Sequence, residues 1–155
     1  MTRKNLMLLA AAGSLALIVG AWGFQMLGYA PCKLCLWQRW PHYAAIGIGA
    51  AVLVLGPYLL LGLAGALAAL TTAGIGAYHT GVERGWWEGP TSCSGSGNDL
   101  ASMTGADLLA VDTPVEIVMC DEVAWSLFGL SMASWNVIAS LIIAQIWFKS
   151  LTKDS

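Results

Sequence analysis

The chain has 155 residues, of which 57% are hydrophobic and only 10% charged, far below the ~25% charged residues of a typical soluble domain. Eight of its nine carboxylates fall between Glu83 and Glu122. That segregation excludes an ordinary soluble globule and indicates an integral membrane protein with one sizeable aqueous loop. A formal net charge of -2 gives no basis for a nucleic-acid partner.

Arg3 and Lys4 precede an apolar run from Leu6 to Phe24. A secretory leader has the same basic start, but its apolar region is only about 7–15 residues long. This run is ~19 residues and reaches about 28 Å as a helix, which predicts a first membrane span over 6–24. A short, nearly uncharged loop over 25–35 follows and carries Cys32 and Cys35. The second span is predicted over 36–56, with Trp37, Trp40 and Tyr43 as an interfacial aromatic belt. His42 falls within that belt and is read as interfacial, and Pro41 as a first-turn residue. Gly56-Pro57 makes a turn, and an uncharged third span is expected over 58–79. Its small residues Gly62, Gly65, Ala66, Ala69, Ala73 and Gly76 suit close helix packing.

Residues 80–129 form the second loop. Gly89-Pro90 and Gly95-Ser96-Gly97-Asn98 are turn chemistry. The apolar pattern from Leu100 to Val111 predicts a short amphipathic helix lying on the bilayer, followed by an extended piece reaching Cys120. The fourth span is expected over 130–148, ahead of Lys149 and Lys153. The expected fold is therefore an all-α membrane protein, a four-transmembrane-helix bundle forming one domain over 1–155. Four spans place both termini on one side and both cysteine loops on the other. Arg3, Lys4, Lys149 and Lys153 against Lys33, Arg39 and Arg84 put the termini in the cytoplasm by the positive-inside rule. The cysteines then face an oxidising exterior.

The four cysteines, Cys32, Cys35, Cys93 and Cys120, allow three pairings. Cys93 and Cys120 are too far apart to make a second Cys-x-x-Cys, which disfavours one zinc site built from all four. Disulfides Cys32–Cys35 and Cys93–Cys120 fit better, with an interloop bond as the alternative. Arg39 lies four residues after Cys35, and a cation near a thiol lowers its pKa toward the reactive thiolate. Two redox pairs on one membrane face suggest a thiol–disulfide relay. The chain has neither a Cys-x-x-Cys-His haem site nor a glycine-rich dinucleotide fingerprint, leaving a lipid-soluble quinone as the electron sink. A metal-handling protein using the cysteines and His79 as soft ligands, and a structural protein stapled by its disulfides, are the competing readings.

The motifs Pro31-Cys32-x-Leu34-Cys35-x-x-Gln38-Arg39, Tyr78-His79-Thr80 and Gly89-Pro90-Thr91-Ser92-Cys93 occur in order along the chain. They are followed by Cys120-x-Glu122-x-x-Trp125-x-x-x-Gly129-Leu130-x-Met132-x-x-Trp135. Together they resemble the disulfide bond formation protein B (DsbB) family. The resemblance implies a four-helix enzyme of the bacterial inner membrane, with periplasmic cysteine loops and no resident metal. Such an enzyme reoxidises a periplasmic DsbA-like, thioredoxin-fold dithiol oxidase and reduces ubiquinone or menaquinone. It also implies that Cys93 meets the reduced partner, that Cys120 then attacks Cys32, and that Cys35 faces the quinone. Arg39 would stabilise that thiolate, and His79 would donate to a quinone oxygen. The tryptophans Trp86, Trp87, Trp125 and Trp135 are read as belt or packing residues.

Overall fold

A computed structural model describes residues 1–90 and 119–153. Four long helices carry the architecture: α1 (Arg3–Met26), α2 (Lys33–Leu55), α3 (Leu59–Glu83) and α4 (Met132–Leu151). Three of them, α1, α3 and α4, are long and apolar enough to cross a membrane. The 23-residue α2 is equally long, but its first three turns hold Lys33, Gln38, Arg39 and His42, which dilute its hydropathy. The expected surface helix between Leu100 and Val111 lies outside the described residues.

The helix ends follow side-chain chemistry that hydropathy does not report. The first N–H groups of a helix have no intrahelical acceptor, so a capping side chain fixes where the helix begins. Cys32 fills that role for α2: its Sγ accepts from Cys35 N at 3.2 Å. The helix therefore starts at Lys33, ahead of the apolar run, and the Cys-x-x-Cys lies across its first turn. Pro41 is consequently inside the helix, not in its first turn. Ser131 caps α4 by accepting from Ser134 N at 3.2 Å. Just before it, Ser126–Leu127 (β1) pairs antiparallel with Leu130–Ser131 (β2). Phe128 and Gly129 both adopt positive φ, 53° and 75°, as a two-residue primed hairpin turn requires. Its second strand occupies the two residues that hydropathy assigns to the start of the fourth span.

The helices pack as a closed ring, α1 on α2, α2 on α3, α3 on α4 and α4 on α1, while the diagonals scarcely touch. Polar side chains such as Ser14, Gln38, His42, Thr72, His79 and Ser140 are buried inside. Large apolar residues such as Val54 (84% exposed) and Leu60 (75%) point outward. That inversion suits lipid, where backbone and polar groups must be satisfied internally. Gly62, Gly65, Ala66, Ala69, Ala73 and Gly76 of α3 are all buried, and they admit close neighbours. The fully buried Trp147 of α4 lies flat on Gly65, where a Cβ would come within 2.5 Å of the indole.

Gly65→Ala is therefore expected to destabilise the protein by about 1–3 kcal/mol through overpacking. Gly74→Ala, built into open space, is expected to be neutral or slightly stabilising in a helix. Thermal unfolding in detergent compares the two, and equal midpoints would refute the Gly65–Trp147 contact as a determinant of packing.

Candidate functional site

Because Cys32 caps α2, its side chain folds back over the first turn and meets Cys35. The two sulfurs are 2.9 Å apart, at hydrogen-bond distance and unbonded. Cys32 is buried and Cys35 half-buried. The Cys32 thiol donates to Cys35, and that donation together with burial pushes Cys32 up to about 12, against a lowering hydrogen bond from His79. The same donation holds Cys35 below its ordinary value, against the opposing effect of burial. Cys35 also sits at the positive end of a helix, which favours a thiolate. The pair is thus unsymmetrical: Cys35 is the cysteine that ionises first, and Cys32 keeps its proton.

The end of α3 closes over the pair. His79 is buried, with Nε2 3.5 Å from Cys32 Sγ and 3.8 Å from Glu83 Oε1. Its Nδ1 lies 2.9 Å from Gln38 Nε2 of α2. Glu83 also accepts from Ser131 Oγ, which ties α3 to the start of α4. The two sulfurs and a histidine nitrogen lie within 4.8 Å of one another, a set of soft donors able to share a thiophilic metal ion. Cys120, fully buried, packs in one cluster with Cys32, Leu34 and Val82, with Cys35 against it. Cys93 lies outside the described residues.

A cavity of about 420 Å³ opens beside Cys35, within the ~300–1,000 Å³ of small-molecule sites. Its wall is largely apolar. Phe24 packs on Tyr29 and Trp125 at ring separations of 5.8 and 5.0 Å, and all three face the cavity. Its polar groups include Cys35, Gln38, Arg39, His42 and His79. Arg39 reaches it with Nη1 donating to Gln25 Oε1 at 3.0 Å, so the hydrogen bond that lowers Cys35 comes from Cys32.

Several site residues escape a reading of the sequence. His42, read as interfacial, is only 3% exposed and donates from Nε2 to Asn136 Oδ1 at 3.1 Å. Trp125 and Trp135 line the cavity. Gln38, Thr72, Glu83 and Asn136 received no role, although Cys35, Gln38 and His42 fall at i, i+3 and i+7 on one helical face. That spacing, in a helix surrounded by apolar sequence, was the available signal.

Comparison with known proteins adds an independent finding. The model of a family described as "Disulfide bond formation protein DsbB" matches residues 3–149. A protein from Verminephrobacter eiseniae named disulfide bond formation protein B is 30% identical over 97% of this chain and 86% of its own length. Another of that name from Aromatoleum aromaticum is 29% identical over 85% of this chain and 84% of its own. No solved structure matches the chain.

The asymmetry of the cysteine pair has a direct readout. At neutral pH, a limiting amount of iodoacetamide should alkylate Cys35 at least about tenfold faster than Cys32, because only the thiolate reacts. Peptide mass spectrometry of the reduced protein measures the ratio; preferential modification of Cys32 would reverse the assignment.

Proposed function

The chain belongs to the DsbB family of disulfide bond formation proteins, and on that premise we propose that it is a membrane thiol:quinone oxidoreductase serving a periplasmic DsbA-like thioredoxin-fold partner. The observation that carries the reading is the Cys32–Cys35 pair at the head of α2, its Cys35 thiolate on the wall of an aromatic, apolar cavity. The cavity fits a quinone ring in volume, in its aromatic walls, and in the polar side chains set among them. A quinone, when bound, supplies a terminal two-electron acceptor able to carry the electrons away from the protein.

The cysteine chemistry follows from thiol–disulfide exchange. In the starting state the disulfides are Cys32–Cys35 and Cys93–Cys120. A partner thiolate attacks Cys93, and Cys120 leaves as a thiolate. Cys120 attacks Cys32, and Cys35 leaves as the thiolate beside the cavity. The partner's second thiol displaces Cys93, so the partner departs oxidised. Cys93 then attacks Cys120, restoring their disulfide and releasing Cys32. Two electrons now rest on Cys32 and Cys35, which are both reduced, as in the present geometry. The burial of Cys120 against Cys32 supports the middle step. Arg39 supplies positive charge at the cavity wall, and His79 a nitrogen beside Cys32. The function requires four spans in the bacterial inner membrane, termini in the cytoplasm and cysteine loops in the periplasm.

Purified protein in detergent with a reduced thioredoxin-fold dithiol oxidase should reduce ubiquinone or menaquinone analogues, followed by quinone absorbance. Cys35→Ser and Cys93→Ser should each bring the rate to the uncatalysed level, the first by removing the thiolate at the cavity and the second by removing the entry point. A redox-silent wild type would sink the proposal, and so would normal turnover in Cys35→Ser.

A further inference from the structure

Behind the cysteine pair, a chain of side-chain hydrogen bonds crosses three helices: His42 on α2, Asn136 on α4, Gln38 on α2 and His79 on α3. Each link has a direction, because an amide offers a donor on one side and an acceptor on the other. The direction determines which nitrogen of His79 carries the hydrogen.

Five contacts fix it. Gln38 Nε2 lies 3.4 Å from the carbonyl of Leu34; a carbonyl only accepts, so the nitrogen of the amide must face this side. Gln38 Oε1 then receives Asn136 Nδ2 at 2.7 Å. The same Nδ2 donates to Thr72 Oγ1 at 3.2 Å, and Thr72 directs its own hydrogen to the backbone carbonyl of Gln38 at 3.0 Å. At the far end, His42 Nδ1 is buried and has no partner. A stranded buried N–H costs far more than an unfilled acceptor. His42 therefore keeps its hydrogen on Nε2 and donates to Asn136 Oδ1. At the near end, the Cys32 hydrogen is committed to Cys35, and Cys32 Sγ is left to accept from its neighbours.

We propose that Gln38 is a positioning residue: its amide, oriented through Asn136, Thr72 and Leu34, holds His79 in the Nε2–H form so that this hydrogen faces Cys32 Sγ at 3.5 Å, with the Glu83 carboxylate 3.8 Å from the same nitrogen. The functional meaning rests on the relay described above. When Cys93 restores its bond to Cys120, Cys32 leaves as a thiolate, and the preset Nε2–H receives the developing charge without reorganisation. The same hydrogen occupies the lone pair with which His79 would ligate a metal alongside the two sulfurs, so the tautomer that assists the exchange also disfavours that site.

The test reads the tautomer directly. The chain has two histidines, so reduced protein labelled with ¹⁵N-histidine, in detergent without added quinone, gives two ring systems, and a His42→Ala variant assigns them. Wild type should show the Nε2–H form at both. Gln38→Glu offers His79 only acceptors, so its ring should switch to Nδ1–H or to the doubly protonated form. His42 should stay Nε2–H, because a carboxylate still accepts from Asn136; that retained signal shows the fold is intact. A wild-type His79 protonated on Nδ1, or a His79 unchanged by Gln38→Glu, would overturn the proposal. In turnover, Gln38→Met should lower kcat by at least about tenfold with an unchanged KM for the partner, since a positioned proton donor contributes ~10²–10⁴. An unchanged kcat would also overturn it. If wild type reduces no quinone, the proposed function fails while the tautomer result stands. If it does so with His79 insensitive to Gln38, only the positioning role fails.

Discussion

A polar side chain on a helix whose outer face is apolar must turn inward and find a partner there. That constraint organises the molecule. Lipid offers no hydrogen bonds, so inward polar groups find their partners inside the bundle. Gln38, His42, Thr72, His79, Asn136 and Ser140 meet this requirement jointly, with α2, α3 and α4 each contributing. Each bond is worth only about 0.6 kcal/mol on average in a membrane protein, too little to stabilise the fold on its own. The network acts instead by specificity: a rotation of α2, α3 or α4 would strand several partners at once, each at a cost of ~1–3 kcal/mol.

The glycine and alanine positions make that mutual satisfaction geometrically possible. Gly76 is an example: a Cβ there would come within 2.9 Å of Val137 and 3.2 Å of Gln38 Oε1. Only a bare backbone lets α3 sit close enough for His79, one turn further on, to reach across to α2. Packing and chemistry are coupled through this spacing. The small residues of α3 bring the backbones together at Gly65 and Gly76, and the polar residues between and beyond them bond across the gap.

Hydropathy and charge segregation make the number, length and order of the long helices legible, since these depend only on local composition. The exact starts of α2 and α4 are set by single side-chain caps, Cys32 and Ser131, which weigh little in any hydropathy window. Family resemblance singles out the cysteines, Arg39 and His79 as candidates. It leaves Gln38 without a role and gives Asn136 none. The misreading of His42 has a simple geometric source. Its sequence neighbours Trp40 and Tyr43 are 72% and 38% exposed, but residues one or two apart in a helix do not share a face. His42 instead shares its face with Cys35 and Gln38. Its partner Asn136 lies 94 residues away, and no local pattern in the sequence brings the two together.

The capping cysteine connects this scaffold to reactivity. An ordinary cap such as Ser or Asp would satisfy the same N–H, but it could not exchange disulfides. With sulfur in the cap position, the backbone N–H of Cys35 and the Nε2 of His79 both approach Cys32, while the Cys32 hydrogen is directed to Cys35. Forming a Cys32–Cys35 disulfide removes that hydrogen and shortens a 2.9 Å contact to about 2.05 Å. A sub-ångström movement at a helix cap leaves the amide chain behind it in place. The proposed alternation of the cysteines between oxidised and reduced forms therefore asks little movement of the polar network behind them.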